Sequence, residues 1–346
     1  MKQWKGYEHG INFGGWLSQC EHTVSHYDTF IGEEDFRKVK EWGLDHIRIP
    51  VDYDLIMDEG GIFRENGFRY LDFAIDECRR NGLNMILDLH RTIGFSFDPD
   101  VHENGFFENE QLQELFYRIW EQFAERYGEF DNMLAFELLN EVTDKEYCDE
   151  WNRISQECVR RIRRIAPKID ILIGGYYNNS VIAVRDIAAP QDEHIIYNFH
   201  CYEPLLFTHQ GAYWISSMDR DFRCPFRQTF AEYAKGSVAQ LGAAFSASFA
   251  DFDETAVPDE TYFEKLFADA VAVADERNVP LYCGEYGVIN LVDPEETLLW
   301  YKAFHGAMKR YGIGSAAWSF RKMDFGIDDP FMDGVRDRLL ATIRHE

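Results

Sequence analysis

Two glutamates, Glu141 and Glu285, stand far apart in the chain, yet each closes a short apolar run: Met133–Glu141 ends in Asn140-Glu141, and Pro280–Glu285 ends in Gly284-Glu285. Two carboxylates facing one cleft are the minimum equipment for hydrolysing a glycosidic bond without a metal. One must hold a proton and give it to the leaving oxygen; the other must stay ionised and attack the anomeric carbon. We assign Glu141 as acid/base and Glu285 as nucleophile, with Arg48 and Tyr202 available to keep the nucleophile charged. Asn140 offers an amide to a sugar hydroxyl, Trp318 an apolar face to a pyranose ring, and His90 and His200 a hydrogen-bonding wall. Glu137 shares strand parity with Glu141. It reads as an interior ion-pair partner, of Arg48 in the first place, with the catalytic acid as its competing role. Taken singly, each of these residues has an ordinary structural explanation; jointly they fall at run ends of one polarity.

Such residues meet only if the runs are parallel strands of one closed sheet. Eight candidates alternate with amphipathic stretches: Gly10–Gly15, Asp45–Pro50, Asn84–His90, Met133–Glu141, Asp170–Gly174, His194–His200, Pro280–Glu285 and Ser315–Ser319. Helices are predicted over Glu33–Trp42, Phe68–Arg80, Asn109–Tyr127, Tyr147–Ile165, Tyr262–Arg277 and Glu295–Tyr311 from their three-to-four spacing of apolar residues. The pattern predicts a (β/α)8 barrel, whose strand C-termini converge on one rim. A doubly wound sheet is the alternative, but Gly14-Gly15-Trp16 does not supply its G-x-G-x-x-G turn. No linker divides the chain, so 1–346 reads as one domain. The surplus over the roughly 250 residues of a minimal barrel is assigned to 203–260, an elaborated loop or small cap after the sixth strand, beside the mouth.

Lys plus Arg number 35 against 61 Asp plus Glu, a formal net charge of −26. Such an acidic field excludes nucleic acid and anionic membranes as partners. No segment has the apolar length of a membrane span, and the first fifteen residues lack a secretory core, so a cytoplasmic location is expected unless a leader has been removed. Seven scattered cysteines without a C-x-x-C pair read as free thiols. Oligomeric state is left open, a monomer included.

The motifs Gly10-Ile11-Asn12-Phe13-Gly14-Gly15-Trp16, His46-Ile47-Arg48-Ile49-Pro50, Leu87-Asp88-Leu89-His90, Phe136-Glu137-Leu138-Leu139-Asn140-Glu141, Tyr197-Asn198-Phe199-His200-Cys201-Tyr202, Gly284-Glu285-Tyr286-Gly287 and Ala317-Trp318 occur in that order. Together they resemble glycoside hydrolase family 5, the cellulase-like retaining hydrolases, from about Gly10 to Phe325. Phe207-Thr208-His209-Gln210, Leu281-Tyr282-Cys283-Gly284-Glu285 and Lys322-Met323-Asp324-Phe325 look closest to its cellulase C type. The resemblance implies Glu141 as proton donor, Glu285 as nucleophile, and Arg48, His90, Asn140, His200, Tyr202 and Trp318 as the surrounding site. It implies no cofactor and no metal. Two departures stand out: Arg91, where many relatives carry a second His or a small residue, and Val142, where Pro is frequent.

The leading expectation is therefore a retaining endo-β-1,4-glucanase acting on β-glucan oligosaccharides or polysaccharides by double displacement. β-Mannan and β-1,3-glucan hydrolysis would use the same catalytic set. A metal-dependent hydrolase built from His90, His200 and His209 lacks the close-spaced ligand pairs such sites favour. A non-catalytic carbohydrate binder using Trp318, Trp214 and Tyr213 would have no need of both acids.

Overall fold

Eight short parallel strands pair in chain order, and the last closes on the first to make a barrel. They are β1 His9–Asn12, β2 His46–Asp52, β3 Asn84–Arg91, β4 Leu134–Glu137, β5 Asp170–Ile173, β6 Ile195–Cys201, β7 Leu281–Tyr286 and β8 Gly314–Ala317. The computed structural model describes residues 1–98, 101 and 103–346. All eight predicted strands are present, with shifted ends. The largest shift is in β4, which stops at Glu137 rather than reaching Glu141. Beyond it the chain leaves ladder geometry but stays anchored, Leu138 N donating to Leu172 O (3.2 Å) and Asn140 N to Leu89 O (3.1 Å). Trp318 likewise lies just past β8.

The strands read as near-continuous apolar runs because both of their faces are covered; β2 and β6 are buried at every position. Parity separates two apolar clusters. Ile47, Ile49, Leu87, Leu89 and Phe199 face outward into the large core beneath the helices. Ile86, Ala135, Leu172, Ile196, Tyr282 and Ala316 face inward, and Trp4 and Tyr7, stacked at 3.8 Å, pack with them as a separate plug. Further along the same inward rows the residues turn polar: Asn12, Arg48, Asp88, Glu137 and Asn198 are all fully buried.

The predicted helices form with ends moved by up to three residues: Glu33–Glu41, Glu65–Asn81, Glu110–Tyr127, Cys148–Arg163, Glu260–Arg277 and Pro294–Tyr311. Their boundaries follow side-chain capping. Asn109, Asp259 and Asp293 accept from the backbone N–H two residues on, and Gly312, at φ 65°, supplies the left-handed stop after Tyr311. After β5 the connection is only a left-handed turn and a 3₁₀ segment, Val181–Asp186.

Between β6 and the helix Glu260–Arg277 lie Leu205–Thr208, Phe230–Leu241 and a 3₁₀ segment, Ala243–Phe249. The first part stays near the barrel rim, where His209 meets Tyr202 edge-on at 5.0 Å. The later part packs on the outer helical layer through Phe230, Phe252 and Tyr262. The seven cysteines are free. Among the described residues no helix is long and apolar enough to cross a membrane.

Candidate active site

Arg48 is the keystone. Fully buried, it points inward from β2 and spends its guanidinium on four other strands at once. Nε and Nη2 donate to Glu137 Oε2 and Oε1 at 2.7 and 2.8 Å, a bidentate pair. Nη1 donates to Glu285 Oε1 at 2.6 Å and to Asn12 Oδ1 at 2.9 Å. Nη2 also reaches Asn140 Oδ1 (2.9 Å) and lies 3.0 Å from Asp88 Oδ2. Glu137 is thereby committed: Asn198 Nδ2 donates to it as well at 2.7 Å, and the side chain is sealed from solvent. It is a structural ion-pair partner without access to a ligand.

Glu285 receives a second donor, Tyr202 OH, on Oε2 at 3.0 Å. Arg48 thus donates to one oxygen of Glu285 and the Tyr202 phenol to the other. The backbone approaches closely here. Gly284 N donates to Asn198 Oδ1 and Gly284 O accepts from Asn12 Nδ2, both at 2.9 Å. A Cβ on Gly284 would come within 2.8 Å of Asn198 Oδ1, so only glycine allows this clamp at the root of Glu285.

Glu141 sits differently. Its partners are His200 Nδ1 on Oε1 at 2.8 Å and Asn178 Nδ2 on Oε2 at 3.0 Å, with no arginine in contact. Burial pushes its carboxyl up to about 7, against the Asn178 hydrogen bond that lowers it. Burial likewise takes His200 down to about 4, which keeps the imidazole neutral. One oxygen of Glu141, a ring nitrogen of His200 and one oxygen of Glu285 lie within 4.8 Å of one another. The two carboxylates therefore share one cleft in contrasting environments, Glu141 beside His200 and Asn178 and Glu285 beside Arg48 and Tyr202.

The remaining predicted residues gather round them. Asn140 spends Oδ1 on Arg48, while its buried Nδ2 has no partner. His90 Nδ1 meets Asp88 Oδ2 at 2.6 Å, and its imidazole lies parallel to Trp318 at 5.8 Å between centroids. Its Nε2, like Nε2 of His200, is buried without a partner among the described residues. Trp318 is only 6% exposed, so it presents a limited face. Trp214 and Tyr213 are exposed and join His209, Phe325 and Tyr202 in an aromatic cluster beside Glu285. Arg91 is held by Asp52, Asp54 and Glu103. Of the three histidines of the metal-centred alternative, His200 joins two carboxylates, whereas His90 pairs with Asp88 and His209 with Thr208.

Sequence reasoning assigned no role to Asn12, Asp88, Asn178 and Asn198. Asp88 and Asn198 lie two residues before His90 and His200, on the same strand faces, so period-two parity was a usable signal. Burial raises the Asp88 carboxyl to about 7, with Arg48 opposing.

Residues 3–324 match the family described as Cellulase (glycosyl hydrolase family 5). Cellodextrinase A of Ruminococcus flavefaciens is 40% identical over 93% of this chain and 88% of its own length. Endoglucanase C of Acetivibrio thermocellus is 35% identical over 92% of each. Among solved structures, an endoglucanase from Thermotoga maritima superposes with a TM-score of 0.75 at 23% identity, covering 98% of this chain and 97% of that one. The cellulose synthase subunit Z of Clostridioides difficile gives 0.76 at 25% identity, covering 97% and 99%.

Proposed function

The chain belongs to the cellulase family, glycosyl hydrolase family 5, and from that membership we propose how its own residues divide the work. It is a glycoside hydrolase of the endo-β-1,4-glucanase type. Glu285 attacks the anomeric carbon while Glu141 protonates the departing glycosidic oxygen. Water then enters, Glu141 takes its proton, and the glycosyl–Glu285 ester is hydrolysed. The observation that carries this reading is that one oxygen of Glu141 comes within 4.8 Å of one oxygen of Glu285 in a shared cleft, the close pairing expected of an acid and a nucleophile acting on one bond. Retaining enzymes hold their two carboxyl groups about 5–5.5 Å apart, and inverting ones about 6.5–9.5 Å.

Each remaining role follows from a contact. Arg48 and Tyr202 hold the Glu285 carboxylate in place for attack. His200 orients Glu141. Asn140 Nδ2 and His90 Nε2, buried and unpartnered, donate to or accept from hydroxyls of the sugar at the cleavage point. The substrate we assign is a β-1,4-linked glucan, with short cello-oligosaccharides foremost, in keeping with the cellodextrinase relative. The Thermotoga maritima protein also has a structure in complex with mannotriose, so β-mannan is the second substrate to try. Glu285→Ala and Glu141→Ala should each abolish hydrolysis of cellotetraose while leaving the thermal melt cooperative, and product anomers from the unaltered protein should keep the β configuration. Full activity in either variant, or α products, overturns the assignment.

A further inference from the structure

Asn178 belongs to none of the strands that carry the site. It lies in the turn after β5, where Tyr177, Asn178 and Asn179 all hold left-handed backbone, at φ 53°, 54° and 58°. Asn is among the few residues that adopt this region readily. The turn is pinned to the segment that follows the catalytic acid: Tyr177 N donates to Thr143 O and Asn178 N to Val142 O, both at 3.0 Å. That pairing aims the Asn178 amide at Glu141 Oε2, 3.0 Å away. The other oxygen, Oε1, is 2.8 Å from His200 Nδ1, and that nitrogen is itself 3.7 Å from Glu285 Oε2. Oε1 is therefore the oxygen on the nucleophile's side of the carboxyl, and Oε2 is the one turned away.

We propose that Asn178 is a positioning residue for the acid: its amide N–H occupies Oε2 as an acceptor, so the transferable proton resides on Oε1, the oxygen on the side of His200 and Glu285. An amide nitrogen can only donate, and a protonated carboxyl oxygen is a poor acceptor. Placing the donor on Oε2 leaves Oε1 as the hydroxyl, donating to the unprotonated Nδ1 of the neutral His200 2.8 Å away until the glycosidic oxygen takes the proton. In the first step the Oε1 proton passes to the glycosidic oxygen, the C1–O bond breaks, and Glu285 bonds to C1. Glu141 is left ionised, with Asn178 still donating to it. The same contact favours the ionised acid throughout. The inference rests on Glu141 being the acid/base. The other titratable groups around that carboxyl are His200, Glu285, Tyr202, His90, Asp88 and Arg48, and none of them touches Oε2.

The test compares Asn178→Gly, which keeps left-handed backbone but has no amide, with Asn178→Asp, which keeps the shape and puts a carboxylate against Oε2. The full-length protein is assayed on cellotetraose and on a dinitrophenyl cellobioside whose leaving group needs no proton. The basic limb of kcat/KM on cellotetraose should move up by about half to one pH unit in Asn178→Gly and by more in Asn178→Asp. At a fixed pH below the limb, kcat on cellotetraose should fall at least tenfold, while formation of the glycosyl-enzyme from the dinitrophenyl substrate is unchanged. An unmoved limb in both variants, or equal losses on both substrates, overturns the proposal. Glu141→Gln separates this failure from that of the underlying reading. If the limb vanishes in Glu141→Gln but stays fixed in the Asn178 variants, only the role of Asn178 fails; if it persists in Glu141→Gln, the acid is another residue.

Discussion

Arg48 Nη1 lies 2.6 Å from Glu285 Oε1, while the same guanidinium holds Glu137 through two further nitrogens at 2.7 and 2.8 Å. One planar cation thus fixes the proposed nucleophile on β7 relative to a structural carboxylate on β4. The planarity matters, because a lysine ammonium cannot satisfy Glu137 bidentately and reach Glu285 as well.

Arg48→Lys should therefore cost both activity and stability. With one donor to the nucleophile lost, kcat on cellotetraose should drop by about 10²- to 10³-fold, the scale seen when a transition-state donor is removed. With Glu137 and Asp88 left buried beside a poorer partner, the melting temperature should fall as well. Steady-state kinetics and a thermal melt on the same preparation check this, and a kcat within threefold of the unaltered protein would refute it.

Glu137→Gln separates structural from catalytic carboxylates. Glu137 is sealed and fully occupied by Arg48 and Asn198. Breaking a buried ion pair by neutralising one partner costs about 3–5 kcal/mol. The variant should lose stability on that scale in denaturant titrations yet retain hydrolysis within about tenfold per folded molecule. Loss of activity as deep as in Glu141→Ala, with unchanged stability, would make Glu137 a reacting group.

The pH profile follows from Glu141. Its carboxyl is raised to about 7, chiefly by burial, and in its proposed role as the acid it must be protonated to act. kcat/KM should thus fall on the basic side with an inflection near pH 7, steepening toward tenfold per unit. Linkage gives the matching sign for stability. The folded state holds this proton more tightly than the unfolded chain, whose Glu titrates near 4.3. The contribution is complete below that value and is lost as pH rises through about 7. Asp88, also raised to about 7 by burial, adds with the same sign. His200, lowered to about 4 by burial, slopes the opposite way between about pH 4 and 6.5, so Glu141 is isolated by comparison: relative to Glu141→Gln, the unaltered protein should lose stability as pH rises from 5 to 8. A flat or rising difference contradicts the buried, proton-holding carboxyl.

Much of this architecture was legible because buried parallel strands and amphipathic helices leave strong patterns. Ile47-Arg48-Ile49 shows the reason, with apolar residues turned to the helices and one polar residue turned inward. The end of β4 was misread because Leu138-Leu139 continues the apolar run after the ladder has stopped at Glu137. Both leucines are buried, and hydropathy does not distinguish a buried strand from a buried loop. Asp88 and Asn198 were within reach through parity with His90 and His200. Asn178 was not. Its role arises from a left-handed turn pairing with residues 142–143, a tertiary relationship with no period in the sequence. The course of the chain after β5, where a helix gives way to Val181–Asp186, was hidden for the same reason.

Asn140 yields the sharpest prediction about substrate. Its Oδ1 is fixed by Arg48 Nη2 at 2.9 Å, which orients the amide and leaves Nδ2 buried with no acceptor. A buried donor left unpaired is costly, and in a sugar-binding cleft a hydroxyl is the group that can relieve it. The 2-hydroxyl of the sugar undergoing cleavage is the candidate whose hydrogen bond strengthens as positive charge develops at C1. Asn140→Ala should therefore lower kcat by about 10²-fold with little change in KM, since the contact is worth more in the transition state than in the ground state. A substrate lacking the 2-hydroxyl should lose a similar factor with the unaltered protein. Combining the two should cost little more than either alone, because each removes the same interaction. Fully additive losses would place the partner of Nδ2 elsewhere on the substrate.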